Sequence, residues 1–131
     1  MIRTTKQVSA FRQIVAAIDH FHRKNYECAV TLAAAGEGQV KETTTTHFFR
    51  VIRSKFSAKD ANYVINWLKH PSGDNEIEIT EQECVVTIVR GIQKYVGTYA
   101  TMHPSFQTFS DWAMEKGYTK KPLAVKAKRG G

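Results

Sequence analysis

Apolar side chains recur every three or four residues along most of the chain, a spacing that places them on one face of an α-helix. The first such run predicts a long helix. Its predicted core face carries Val8, Phe11, Val15, Ile18 and His22. Thr4 and Gln7 have the spacing of a capping box and predict where this helix begins.

A second helix is predicted from Asn25, whose side chain suits an N-cap. The tight connection to the first helix implies an antiparallel pair. The predicted apolar positions of the second helix are Cys28, Leu32 and Ala35, and its end is predicted near Gly36 or Gly38. A left-handed residue costs little at a glycine, which is why helices often end there.

The stretch NYECAVTLAAAGEGQ is unusual because it concentrates small residues on one helix. Helix propensity alone explains the alanines, but a glycine costs about 1 kcal/mol inside a helix. Ala29, Ala33 and Gly36 lie on successive turns and would let a neighbouring backbone approach closely. We therefore expect the second helix to be wedged between two long helices.

The remaining chain predicts four more helices. A short third helix would carry Phe48, Phe49, Ile52 and Phe56, and a fourth would carry Val64, Ile65 and Leu68 and stop at Pro71. The segment with Ile77 and Ile79 is predicted as a loop, because a lone strand has no partner. The fifth helix opens with a capping box from Thr80 to Glu83 and carries Val85, Ile88, Ile92, Tyr95 and Tyr99. The last begins at Pro104, buries Phe106, Phe109 and Ala113, and ends at Gly117.

This pattern predicts an all-α fold, a five- to six-helix up-and-down bundle. One domain covers residues 1–116, and a basic tail, expected to be flexible, covers 117–131. We expect Leu32, Ile88 and Ile92 to be central to the core.

Of the net charge of +7, +6 comes from the C-terminal residues from Lys116 to Arg129. Up to Glu115, 13 Lys and Arg residues stand against 12 Asp and Glu residues, so the predicted domain is nearly neutral. The candidate nucleic-acid contacts are Lys120, Lys121, Lys126, Lys128 and Arg129. Such a run favours weak, non-specific, salt-sensitive binding to nucleic acid.

No apolar run is long enough to cross a bilayer, and the N-terminus lacks the apolar core of a signal peptide. We therefore expect a cytoplasmic protein with no membrane contact. Cys28 and Cys84 belong to no metal-binding pair, so we expect two buried thiols. Asp19 and His22 form at most a two-ligand fragment, and neither a metal nor another cofactor is expected.

Three segments, AIDHFHRKNYECAVTLAAAGEG, INWLKHPSGD and PSFQTFSDW, together resemble the HEPN-like bacterial helical domains over roughly residues 16–112. The resemblance implies a helical bundle and a homodimer. Aromatic residues beyond the needs of one small core also favour a homodimer. These are Phe48, Phe49, Tyr95, Tyr99 and Trp112. Many HEPN proteins are ribonucleases that use an arginine followed, after four to six residues, by a histidine. None of the five histidines here has an arginine at that spacing.

The candidate ligand or partner site consists of Glu37, Asn66, Lys69 and His70. His70 could act as an acid or base, but without the arginine a phosphate would lack its bidentate partner. Lys69 and His70 also suit the C-terminal end of a helix on electrostatic grounds alone. We therefore expect a non-catalytic helical interaction or ligand-binding domain. The alternative is a degenerate HEPN-type nuclease or RNA-binding protein that uses the basic tail with Lys69 and His70.

Overall fold

The computed structural model describes residues 1–41 and 58–119, and these residues form an all-α bundle. Its helices are α1 (Lys6–His22), α2 (Tyr26–Gln39), α3 (Ala58–Lys69), α4 (Glu81–Tyr99) and α5 (Pro104–Glu115). The predicted all-α architecture is confirmed. The short helix predicted around Phe48 and Phe56 lies outside the described residues.

The turn between α1 and α2 reverses the chain within a few residues. Lys24 adopts a left-handed backbone conformation with φ of 64°. Its N–H donates to the carbonyl of Phe21, and the N–H of Asn25 donates to the carbonyl of His20, at 3.0 and 2.9 Å. This pair of bonds is a Schellman motif. Asn25 stands at the N-cap position of α2 as predicted, but its side chain makes no capping hydrogen bond.

The predicted start of α1 is wrong, and its predicted core face is correct only in part. The N-cap is Thr5, whose hydroxyl accepts a hydrogen bond from the N–H of Val8 at 3.0 Å. The buried face consists of Ala10, Ile14, Ala17, Ile18 and Phe21. Of the predicted face, Ile18 is buried and Phe11 and Val15 are half-buried and pack against the core, while His22 is exposed and Val8 is 39% exposed. The helix is turned this way because small residues at positions 10 and 17 let it approach α2 more closely than a row of large side chains would.

The second helix continues past both glycines to Gln39, so the predicted end at Gly36 or Gly38 is also wrong. Its buried residues are Ala29, Val30, Ala33, Gly36 and Glu37. Cys28 and Ala35 are exposed instead of buried, and Leu32 is half-buried. The helix turns its smallest side chains inwards because α1 and α4 pack on both sides of it.

The close packing predicted for this helix is confirmed. A Cβ atom added to Gly36 would lie 2.9 Å from Ile14 Cγ1 and 3.2 Å from the carbonyl oxygen of Ala10. On the opposite side, a Cβ added to Gly91 of α4 would lie 3.5 Å from the carbonyl oxygen of Ala33. The second helix is thus held between the two long helices, and its contact with α1 at Gly36 is too close for a larger residue.

Hydrogen bonds between side chains and backbone show that α4 runs parallel to α2. Cys84 Sγ, near the start of α4, donates to the carbonyl of Tyr26 at 3.7 Å. Thr98 Oγ1, near its end, donates to the carbonyl of Lys41 at 2.9 Å. The predicted capping box of Thr80 and Glu83 is present, and Ile88 and Ile92 are fully buried. Ile77 and Ile79 lie in a loop and pack partly against the core.

The last helix begins at Pro104 and buries Phe106, Phe109 and Ala113, as predicted. Gly117 ends it with φ of 84°. Contacts with the bundle continue to Tyr118, whose ring lies 5.9 Å from that of Trp112 and whose hydroxyl donates to Glu81. That hydrogen bond raises the pKa of Tyr118 to about 12. Among the described residues, no helix has the length and apolar character needed to cross a membrane.

Candidate functional site

Glu37 is the one residue of the predicted site that is buried, with 6% of its surface exposed. Its carboxylate pairs with Arg90 of α4, whose Nη2 lies 3.2 Å from Oε1 and 3.4 Å from Oε2. The other guanidinium nitrogen, Nη1, donates to Asn62 Oδ1 of α3 at 3.0 Å. A single arginine therefore connects three helices.

The position of Glu37 explains why it needs these partners. It lies in the last turn of α2, where the helix dipole is negative and a carboxylate is destabilised. Lys94, one turn after Arg90 on α4, donates from Nζ to the backbone carbonyl of Glu37 at 3.0 Å. Two cations from α4 thus face the negative end of α2. The close approach of α4 to α2 at Gly91 brings both cations within hydrogen-bonding distance of Glu37.

Asn66, Lys69 and His70 lie on the surface instead. All three are exposed, in the last turns of α3 and just beyond its end. The N–H of His70 donates to the carbonyl of Asn66 at 3.2 Å, which continues the helical hydrogen bonding by one residue. Lys69 and His70 therefore lie at the C-terminal end of α3, where the helix dipole favours cationic side chains.

The four predicted site residues are thus divided between the interior and the surface. Asn62, not Asn66, is the α3 residue that contacts the arginine of the buried cluster. The three residues that complete the cluster around Glu37 are Asn62, Arg90 and Lys94. One sequence signal could have found two of them. Arg90 and Lys94 are the two basic residues of α4 and stand four residues apart, so they share a face.

The histidines and acids of α1 take structural positions. Asp19 pairs with Arg23 at 3.0 Å in an exposed ion pair, and the ring of His22 lies 5.6 Å from that of Phe21. His103 is the N-cap of α5, with Nδ1 accepting from the N–H of Ser105 at 3.2 Å. Within residues 1–41 and 58–119, no three His, Cys, Asp or Glu side chains are placed to hold a metal ion.

The two thiols differ in environment. Burial, together with the nearby carboxylates of Glu81, Glu27 and Glu83, raises the pKa of Cys84 to about 12. A thiol in this setting stays protonated and is a poor nucleophile at neutral pH. Cys28 is exposed on the first turn of α2.

The five basic residues predicted to contact nucleic acid, Lys120 to Arg129, lie beyond the described part of the chain. No protein-family model, curated protein or solved structure matches this chain.

Proposed function

We propose that the chain is a non-catalytic helical interaction domain of HEPN-like type that acts as a homodimer. One observation carries the proposal. The buried charged groups hold helices together, while the apolar side chains of Val8 and Met102 remain exposed at the surface. A catalytic carboxylate or base must reach a substrate. Glu37 instead faces Arg90 inside the bundle.

Val8, Phe11 and Val15 form what we call the outer stripe of α1, which borders the buried face of the helix. Val8 is 39% exposed, whereas Phe11 and Val15 are half-buried and pack against the core. Met102, 43% exposed, lies at the same end of α1, because the Phe11 ring is 4.7 Å from that of the adjoining His103. Where exposed apolar side chains adjoin, they usually mark an interaction site.

The aromatic residues that suggested an interface divide into two groups. Tyr95 is buried and belongs to the core, whereas Tyr99 and Trp112 are half-buried and pack against it. Phe48 and Phe49 lie outside the described residues. Val8, the exposed member of the outer stripe, therefore supports self-association more directly than the aromatic residues do.

Binding of nucleic acid is the second candidate, favoured by one observation. Lys69 and His70 are neighbours at the exposed end of α3, where their donors are accessible to a phosphate. With the basic tail they would form a phosphate-binding surface of weak specificity. Binding of RNA should weaken as salt is added, whereas a dimer held by apolar contacts should persist at high salt.

Sedimentation of the full-length chain tests the leading proposal. We expect a species of twice the 14.8 kDa chain mass to form at concentrations of about 10–500 μM, the range typical of a small interface. This dimer should persist at high salt if apolar contacts dominate its interface. A single 14.8 kDa species over that range would contradict self-association.

A parallel assay tests the nucleic-acid candidate with structured and single-stranded RNA. Under our proposal, any retention of RNA falls steeply with added salt, and the RNA stays intact. Cleavage by the wild type that disappears in His70→Ala would overturn the non-catalytic assignment.

A further inference from the structure

The imidazole of His103 holds the start of α5 by accepting hydrogen bonds. The backbone N–H of Ser105 donates to Nδ1 at 3.2 Å, and the Ser105 hydroxyl lies 2.8 Å from the same nitrogen. A backbone N–H can only donate, so Nδ1 carries no proton in this arrangement and the neutral ring keeps its proton on Nε2. The N-cap of α5 therefore requires an uncharged histidine.

The other side-chain caps in the described part of the chain use hydroxyl groups. Thr5 caps α1 and Thr80 caps α4, and their oxygens accept from the N–H groups of Val8 and Glu83 at 3.0 and 3.3 Å. A threonine hydroxyl does not change its charge near neutral pH, whereas an imidazole does. Among these three caps, the one at the start of α5 is thus the cap that responds to mild acid.

Protonation of His103 breaks its cap for two reasons. A charged imidazole donates from both ring nitrogens, so the Ser105 N–H loses its acceptor, even though the Ser105 hydroxyl can turn to accept. The positive end of the helix dipole also lies at this point, where a cation is destabilised. Because the closed turn holds the neutral ring and the open turn accepts the proton freely, acid shifts the equilibrium towards the open turn.

The groups that face the imidazole are aromatic. The ring is half-buried, 4.7 Å from the ring of Phe11 on α1 and 5.9 Å from that of Phe106 on α5. Tyr95 of α4 packs on both phenylalanines, at 6.3 and 5.5 Å, and is the titratable side chain of this ring cluster. Within residues 1–41 and 58–119, no carboxylate or cation is hydrogen-bonded or ion-paired to His103. The rings attract a cation less strongly than the lost cap and the helix dipole oppose it.

The turn that His103 caps also holds a core side chain in place. Phe106, the third residue of α5, is fully buried and packs between Phe11 and Tyr95. We propose that His103 is a pH-sensitive switch, whose protonation opens the first turn of α5 and loosens the packing of Phe106 against α1 and α4. The inference goes beyond self-association and does not depend on it.

Hydrogen exchange of the full-length chain, followed by NMR, tests the switch, because protection factors correct for the intrinsic effect of pH on exchange. Between about pH 7.5 and about pH 5.5, protection in the first turn of α5 should fall about 5-fold, as expected for the loss of one cap. The amide of Glu83, capped by Thr80, should keep its protection and serves as an internal control. Nitrogen chemical shifts of the His103 ring at neutral pH should show the proton on Nε2.

Three variants assign the response to His103. His103→Asn supplies a side chain that caps at either pH, so the first turn of α5 should be equally protected at both. His103→Ala removes the cap and should lower the protection at both pH values alike. His20→Asn is the matched control, because His20 is also half-buried but lies on α1, and this variant should respond to pH like the wild type.

Four results would overturn the switch. A pH response that persists in His103→Asn would belong to another group. Equal protection of the wild type at both pH values, or a proton on Nδ1 at neutral pH, would mean that the cap does not depend on the neutral ring. An equal loss of protection at Glu83 would indicate opening of the whole bundle instead of one turn.

Discussion

The two sides of α1 are both apolar, but they are buried to different extents. The inner side presents Ala10, Ile14 and Ala17 to α2, and all three are fully buried. In the outer stripe, Val8 is exposed, and Phe11 and Val15 are half-buried against the core. The side that includes two alanines is thus the more deeply buried one. Packing between helices follows the fit of facing surfaces, and hydrophobicity alone does not select the side.

The largest loss of stability is expected from truncating Ile14, the central side chain of the inner side. Ile14→Ala should destabilise the fold by about 2–5 kcal/mol, because a fully buried branched side chain leaves a cavity between α1, α2 and α4. Val8→Ala on the outer side should change stability by less than about 0.5 kcal/mol. Chemical denaturation of both variants measures the difference. Equal losses would mean that the two sides contribute alike.

The ion pair of Glu37 and Arg90 tests whether buried charge stabilises the packing of α2 against α4. Glu37→Gln keeps the size of the side chain but leaves Arg90 facing a neutral group, and should destabilise the fold by about 2–3 kcal/mol. Asp19→Asn makes the same change in the exposed pair with Arg23 and should have an effect below about 0.5 kcal/mol. Thermal melts of the two variants measure this difference. A Glu37→Gln protein as stable as the wild type would contradict the prediction.

The close approach of α1 and α2 can be tested with one methyl group. Gly36→Ala places Cβ 2.9 Å from Ile14 Cγ1 and near a backbone oxygen that cannot move freely. We expect a net loss of about 1 kcal/mol, since the strain exceeds the gain in helix propensity. Gly38→Ala is the matched control, because nothing lies within 4 Å of its added Cβ. It should stabilise the protein by up to about 1 kcal/mol.

The turn that joins the two helices should give the smallest effect. Lys24 has a left-handed backbone that an L side chain adopts at a cost. Lys24→Gly removes this strain but increases the entropy of the unfolded chain, so a net gain of about 0.5 kcal/mol is expected. Denaturant titration measures this gain, provided that the slope of the unfolding free energy against denaturant concentration is unchanged. A loss of stability would indicate that the Lys24 side chain makes a contribution of its own.

Local signals in the sequence predicted much of the fold. The capping box at Thr80, Pro104 at the start of α5 and Gly117 at its end are each recognised from a few neighbouring residues. Such features depend on hydrogen bonds within one turn, which need no partner helix. The candidate site was less predictable. Glu37 was identified, but Arg90 lies 53 residues away and meets it only because α2 and α4 are parallel.

What the sequence determined by itself is therefore the five described helices, most of their limits and the small residues that permit close packing. What the tertiary structure decided is which side of each helix is buried. Periodicity shows that apolar residues share a face, but α1 has two such faces, and α2 has small residues around much of its surface. The choice depends on the shape of the neighbouring helix, where the backbone of Ala10 meets Gly36. That contact joins residues distant in the chain, and no local pattern encodes it.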